Sequence, residues 1–309
     1  MTLIVLAKPT GGACNLACSY CFYRGHPGGR MSHEIARALC ERARAVIWQG
    51  GEPTLMGVEF YRRLPRGPAH SIQTNGTLID DEWAAFFSGN GWYVGLSVDG
   101  PRALHDRARR AHDGARTHAS VLRAARLLRR YGVQFVAVAT IDEHNASEPE
   151  AVYDALAELE PEALQFIPAG VSGDAHRDFM LAVLRRWELR GRKPRVREIE
   201  YGCCVNSTTC GDYVVVEHDG SVYSCDHYVE PDHKLGNVID TPLVRLLRGE
   251  KQRAFGLRKT PTDSACSTCA VLSRCNGGCP KDRDASGRNR FCSGYAGLYG
   301  SQTVPKNPS

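Results

Sequence analysis

The sequence predicts an α/β protein: a parallel sheet curled into a partial (β/α)6 barrel, followed by a cysteine-rich C-terminal domain. Two observations carry this. Short apolar runs alternate with segments that are apolar at helical spacing through the first half of the chain, the pattern of parallel strands joined by crossover helices. Of the 13 cysteines, three fall between positions 14 and 21 and nine lie at or beyond position 203, so the end of the chain has its own chemistry.

The strands are read first. "LIVLA" (3–7), "AVIWQ" (45–49), "HSIQT" (70–74), "YVGLSV" (93–98), "QFVAVAT" (134–140) and "ALQFI" (163–167) are bounded apolar runs of strand length. Between them lie "SHEIARALCERAR", "DDEWAAFFSGNG", "THASVLRAARLLRRYG" and "EPEAVYDALAELE". Ser32 is placed to cap the first of these helices, and Gly132 to close the third. Six rounds of this alternation favour a TIM-like partial barrel, whose function sits at the carboxyl ends of its strands. Residues 171–202 carry one arginine-rich helical pattern. From Cys203 the texture changes to short strands, turns and cysteine pairs, and "YVVVEHDGSVYSCDH" reads as a hairpin turning at Asp219-Gly220. The predicted division is residues 1–170 for the barrel, 171–202 for a helical linker and 203–309 for the cysteine-rich domain.

Composition narrows the function. The chain has 309 residues, 42% hydrophobic and 24% charged, with a net charge of +5, ordinary values for a globular enzyme. The arginines are spread along helix faces rather than gathered into a patch, so no nucleic-acid partner is expected. No apolar run approaches membrane-spanning length. The N-terminal run lacks the basic lead of a signal peptide, and a cytoplasmic location is expected. Clustered cysteines in such a chain favour metal ligation over disulfides.

The stretch "ACNLACSYCFY" places Cys14, Cys18 and Cys21 as C-x3-C-x2-C directly after the first strand. Thiolates suit zinc or iron–sulfur centres. Structural zinc takes four protein ligands, and the next cysteine, Cys40, lies in a helical pattern as an ordinary buried thiol would. A cubane iron–sulfur cluster on three cysteines leaves one iron open to an outside ligand.

That motif after the first strand of an α/β barrel resembles the radical S-adenosylmethionine (SAM) superfamily. The resemblance implies that SAM chelates the open iron of a [4Fe–4S] cluster and is cleaved by one electron to a 5′-deoxyadenosyl radical, which takes a substrate hydrogen. It also implies roles for residues at the strand ends. Tyr23 would pack near the adenine. Gly50, Gly51, Glu52 and Pro53 of "QGGEP" would bind the methionyl amine; a Gly-Gly pair is otherwise simply a turn. Ser97 and Asp99 of "LSVDG" would meet the ribose. Arg109 would meet the carboxylate, or else is a solvated charge.

In the last third, C204-x5-C210-x14-C225 and C266-x2-C269-x5-C275-x3-C279-x12-C292 supply eight cysteines, enough for two cubanes or, alternatively, two zinc sites. The arrangement resembles the auxiliary-cluster domain called SPASM, especially that of anaerobic sulfatase-maturating enzymes. By that resemblance Cys204, Cys210, Cys225 and Cys279 bind one cluster. Cys266, Cys269, Cys275 and Cys292 bind the other, giving three [4Fe–4S] clusters in all. Cys203, beside Cys204, is an alternative ligand. "QTNGTLID", "VGLSVDGP" and "CNGGCPKDR" extend the likeness over nearly the whole chain.

The same resemblance makes Asp226, next to Cys225, the catalytic base; a turn-capping role is its other reading. His218 and His227 read as structural or surface residues. The activity implied is oxidation of a peptide Cys or Ser to formylglycine, with a flavodoxin or ferredoxin as electron donor. The segment from 171 to 202 is short for that family, however. The second reading is therefore a natural-product enzyme using the same radical on a sugar, nucleoside or ribosomal peptide, with sulfur insertion from an auxiliary cluster as one variant. A non-catalytic electron carrier would leave "GGEP" and "VDG" unexplained.

Overall fold

The structure, a computed structural model, describes residues 3–200, 204–211 and 213–301. Cys203 lies outside the described residues. The chain folds as two compact units, one built from Met1–Ser97, Ala108–Phe135 and Gly211–Phe255, the other from Val98–Arg107, Val136–Cys210 and Gly256–Ser309.

The first unit contains β1 (Ile4–Lys8), β2 (Ala45–Trp48), β3 (Ala69–Thr74) and β4 (Tyr93–Ser97). They are parallel and adjacent in that order. Each crossover carries a helix, His33–Cys40, Val58–Arg62 and Asp81–Asn90 in turn. Ser32 Oγ accepts from the Ile35 amide at the start of the first of these, and Asp80 Oδ1 accepts from the Trp83 amide at the start of the third, satisfying amides that have no partner within the helix. Helix His118–Arg130 also belongs here, and Gly132 follows it at φ +67°. Packing centres on aromatic side chains. Tyr61 lies 5.5 Å from Trp48 and 5.4 Å from Trp92, ring centre to ring centre, and Trp48 and Phe87 are wholly buried. Each such ring removed from water contributes about 2–3 kcal/mol.

The strands after residue 211 bring a departure from the predicted boundary. β8 (Tyr213–Glu217) pairs in parallel with β1 on the side opposite β2, in the register Ile4↔Tyr213 to Lys8↔Glu217. β9 (Ser221–Tyr223) turns back against it as the sequence predicts, and β10 (Lys234–Asn237) pairs antiparallel with β9. By compactness, residues 213–255 therefore go with the first four strands. Val214, Val215 and Val216 are fully buried, and the apolar run closes the open edge of β1.

The second unit holds β5 (Phe135–Ile141, its first residue in the other unit), β6 (Ala163–Pro168) and β7 (Arg195–Val196). These are parallel and in that order. Helices Pro149–Ala157 and Gly173–Leu189 make the crossovers. The linker segment is thus not wholly helical: it contributes a seventh parallel strand, too short to leave a signature in the sequence. Cys-rich turns and short helices from Gly256 onward complete this unit. The parallel α/β architecture with a cysteine-rich C-terminal part is the fold class that the sequence predicts.

Candidate active site

In the first unit, the loop after β1 carries the cysteine triplet to the carboxyl end of the parallel strands. Cys14, Cys18 and Cys21 line one cavity of about 320 Å3 together with Tyr23, His26 and Gly51. The loop is pinned from two sides. Ala17 N donates to Arg110 O and Ser19 N to Ala108 O. Gly51 N donates to Gly11 O and Glu52 N to Ala13 O, each at 2.8 Å. A Cβ on Gly51 would stand 1.9 Å from the Ala13 oxygen. The double glycine therefore admits the backbone of the triplet loop.

Glu52 has a structural duty that sequence reading missed. It is 1% exposed, and its carboxylate accepts from Thr54 N, Thr54 Oγ1, Thr74 Oγ1 and Asn75 N. Burial pushes its pKa up, and these bonds oppose the shift. They tie the loop after β2 to the "TNG" turn after β3. From that turn Asn75 Nδ2 donates to Asn15 Oδ1 at 2.8 Å, and Asn15 Nδ2 donates to Thr77 Oγ1 at 2.9 Å. Only the "TNG" motif hinted at this contact. Pro53 begins the short 3-10 turn that Glu52 caps. Arg109 is brought to the triplet loop, 5.5 Å from the Tyr20 ring. Ser97 ends β4, its hydroxyl accepting from Gln73 Nε2 at 3.0 Å.

Asp226 belongs to the same unit. Its half-buried carboxylate accepts from Tyr213 OH at 3.1 Å and, at a long 3.4 Å, from Gln49 Nε2, with the Cys225 thiol 3.5 Å away. Burial pushes this carboxyl up, but His227, Lys8 and the hydrogen bonds outweigh it and hold its pKa below the ordinary value. Lys8, the last residue of β1, is 1% exposed. Its pKa is lowered by burial, and the opposing influences are Asp226, Glu217, Cys225 and Cys21. Tyr23 donates a short hydrogen bond to Glu217 Oε1 and stacks on His26 at 4.2 Å. Its hydroxyl is pushed above its usual range by burial and by Glu217.

In the second unit, Asp99 is 1% exposed and accepts from Thr140 N at 2.9 Å, while its own amide donates to His105 Nδ1. Cys266, Cys269, Cys275 and Cys292, the four that the family resemblance groups, line a single cavity of about 270 Å3. Cys204, Cys210 and Cys279 all act electrostatically on Lys259. Cys225 lies in the first unit.

These thiols fit cubane clusters. No disulfide joins the twelve described cysteines. Burial drives the Cys14 and Cys225 thiols up to about 12, and a metal is what deprotonates such thiols at neutral pH. Among the described residues no three His, Cys, Asp or Glu side chains converge as ligands of one ion would. A cubane asks for a different spacing, since each sulfur binds a separate iron at a corner of the cluster. Cys40, in helix His33–Cys40, is 3% exposed and is a core thiol.

Comparison with known proteins agrees with this chemistry. Residues 9–156 match the radical SAM superfamily, and residues 204–270 match the iron–sulfur cluster-binding domain SPASM. A serine-type anaerobic sulfatase-maturating enzyme of Klebsiella aerogenes is 34% identical over 349 aligned positions, covering 98% of this chain and 86% of that protein. A cysteine-type enzyme of Clostridium perfringens is 31% identical, covering 96% of this chain and 95% of that one. The solved structure described as native anSMEcpe with bound AdoMet and Kp18Cys peptide superimposes with a TM-score of 0.88 at 31% identity, covering 97% and 96% of the two chains. Streptococcus suis SuiB shares the fold, with a TM-score of 0.70 at 16% identity. The chain belongs to the anaerobic sulfatase-maturating enzymes, radical SAM proteins that carry a SPASM iron–sulfur domain.

Proposed function

We propose that this protein oxidises a Cys or Ser side chain of a peptide to formylglycine. Cys14, Cys18 and Cys21 would hold a [4Fe–4S] cluster that, with SAM, would supply the 5′-deoxyadenosyl radical for removal of one Cβ hydrogen atom. Asp226 would then accept a proton, and the auxiliary clusters held by the C-terminal cysteines would supply the acceptor for one electron, so that the substrate loses two protons and two electrons in all. For Cys the product is a thioaldehyde that water converts to the aldehyde with loss of hydrogen sulfide; for Ser the aldehyde forms directly. The observation that carries this reading is the position of Lys8, within electrostatic reach of both Cys21 and Asp226. The proposed base and Cys21, one of the three proposed ligands, thus both favour the charge of one buried cation, whose Nζ stands 3.3 Å from the ring centre of Tyr23 in the triplet loop.

The other assignments are proposals on the family's motifs. Tyr23, Gly50, Gly51, Glu52, Pro53, Ser97, Asp99 and Arg109 would hold SAM. Cys204, Cys210, Cys225 and Cys279 would ligate one auxiliary cluster, and Cys266, Cys269, Cys275 and Cys292 the other. A flavodoxin or ferredoxin would deliver the electron in the cytoplasm. Among the described residues no helix is long and apolar enough to cross a membrane.

A second reading is favoured by length. The alignment to the Klebsiella aerogenes enzyme spans 349 positions against a chain of 309 residues, so at least 40 positions have no counterpart here. On this reading the missing positions belong to the relatives' peptide-enclosing wall, and the substrate here is a small polar molecule, a sugar or nucleoside, on which the same radical would open the way to sulfur insertion. The test is anaerobic incubation of reduced holoenzyme and SAM with either a C-x-P-x-R peptide or a sugar and nucleoside panel, followed by mass spectrometry. Formylglycine in the peptide supports the first reading. Deoxyadenosine release stimulated only by a small molecule rejects it and supports the second.

A further inference from the structure

Lys259 is a lysine that the fold has taken almost wholly out of water, at 1% exposure. Lysines are rarely buried unless paired. Its ammonium donates to Val205 O and Gly278 O at 2.7 Å each, with Cys204 O at a long 3.5 Å. Carbonyl dipoles alone do not offset the cost of burying a full charge. The groups that favour the charge are the thiols of Cys210, Cys279 and Cys204. As neutral thiols they would leave the ammonium without a counter-ion.

The chain holds this lysine deliberately in place. Arg283 Nη2 donates to Lys259 O at 2.7 Å, and its Nη1 donates to Thr260 O at 2.9 Å and Arg258 O at 3.0 Å. Just upstream, Cys210 N donates to Gly256 O at 3.1 Å. Asn289 Nδ2 donates to Cys279 O at 2.9 Å. The segment 256–260 is therefore fastened to the turns that carry Cys204, Cys210 and Cys279, and its one buried cation points among them.

We infer that Lys259 is the positioning and charge-balancing residue of the auxiliary cluster bound by Cys204, Cys210 and Cys279. A cubane on thiolates is a buried anion, and it gains one further negative charge on reduction. A fixed cation beside it stabilises the reduced state more than the oxidised one and raises the reduction potential. The same ammonium joins the turn of Cys204–Val205 to that of Gly278–Cys279 through their carbonyls. The inference rests on the ligand assignment proposed above and adds to it the group that sets the potential.

The test is a redox titration of the anaerobically reconstituted holoenzyme, followed by EPR, for wild type, Lys259→Met, Lys259→Gln and Lys259→Arg. Gln keeps hydrogen-bond donors for the carbonyls but carries no charge; Arg keeps the charge. In the two neutral variants one of three midpoint potentials should fall enough to change the oxidised-to-reduced ratio at least tenfold, 59 mV for a one-electron couple. The potential of the cluster on Cys14, Cys18 and Cys21 should not move. That of the cluster on Cys266, Cys269, Cys275 and Cys292 should move less, because Lys259 also acts on Cys275, and Arg should recover most of the difference. Selective loss of about four of about 12 irons in Met and Gln but not in Arg would also support the inference. Three unchanged potentials at full iron content would overturn it. Equal loss of the cluster in all three variants would do the same, since charge would then be immaterial. A wild-type protein reconstituting only about eight irons would instead overturn the ligand assignment itself.

Discussion

The Nζ of Lys8 stands 3.3 Å from the centre of the Tyr23 ring. Cation and ring belong to different parts of the first unit, the end of β1 and the loop of the cysteine triplet. Because Tyr23 also donates to Glu217 on β8, this contact joins the triplet loop, β1 and β8. A desolvated ammonium over an aromatic face contributes about 1–2 kcal/mol, and here the ammonium also faces Asp226 and Glu217. Substituting Lys8→Met keeps the stem and removes the charge. Product formation should fall at least about tenfold while deoxyadenosine release without substrate stays within about threefold, because what is lost is the arrangement around Asp226. Chromatography of deoxyadenosine from a reaction without substrate and of product from a reaction with it gives the two rates; product formed at the wild-type rate, or both rates falling together, would refute the role given to Lys8.

Glu52 should prove structural before it proves catalytic. All four of its bonds go to Thr54, Thr74 and Asn75 within the first unit. Glu52→Ala leaves those donors buried without a partner, at a cost of about 2–4 kcal/mol. The melting temperature should drop, and the cluster of the triplet loop should be lost more readily than the others on mild chelation. Iron release followed by absorbance tests this, and equal release from every site would contradict it.

Much of this architecture was legible in the sequence because each strand is a short apolar run ending in a distinctive turn. The ends shifted by about one residue, as for Ala69–Thr74 and Phe135–Ile141. The triplet and the C-terminal cysteine field were legible because cysteine spacing is a local property, whereas the grouping of Cys266, Cys269, Cys275 and Cys292, which line one cavity, came from the family resemblance. The parallel pairing of β8 with β1 was not legible. "YVVVEHDGSVY" announces its hairpin partner, but a parallel partner about two hundred residues away leaves no local signal. The burial of Lys8 and Lys259 leaves no local signal either: burial is decided by what packs over a residue from elsewhere in the chain.

Glu198 gives a pH-dependent stability with a definite sign. It lies in the short helix after β7, and its Oε1 accepts from the Phe166 amide at 3.2 Å. Burial raises its pKa from 4.5 to about 7. A carboxyl with a folded pKa above its unfolded one binds more protons when folded. Its contribution is therefore full below about 4.5 and is lost as pH rises through about 7. The holoenzyme should lose about 2–3 kcal/mol from this group between pH 4.5 and pH 7.5. Glu198→Gln keeps the bond to Phe166 and cannot ionise, so it should flatten that part of the profile. Thermal unfolding across this range, in both proteins, is the measurement; parallel curves would exclude Glu198 as the source.

Gly51→Ala tests the packing account of the double glycine. The added methyl would meet the Ala13 oxygen at 1.9 Å, a clash that only movement of the triplet loop can relieve. The four cysteines lining the cavity of the second unit are untouched by it. Iron content should fall from about 12 to about eight per chain, with deoxyadenosine formation abolished and the remaining cluster absorbance intact. Retention of all the iron with SAM cleavage lost would mean that Gly51 serves the cofactor directly rather than the loop.

Asp226→Asn separates radical generation from proton removal. The amide preserves the size of the side chain and can still accept from Tyr213 OH, which donates to Oδ1 at 3.1 Å. It cannot take up a proton at neutral pH. Positioned general bases contribute about 10²–10⁴-fold, so product should fall by that factor. Deoxyadenosine should still form, because nothing in the triplet loop has changed. The decisive quantity is the number of deoxyadenosine molecules released per product: it should climb steeply in the variant. A ratio equal to the wild type, with both rates reduced together, would place Asp226 in cofactor or cluster binding and leave the base to be found elsewhere.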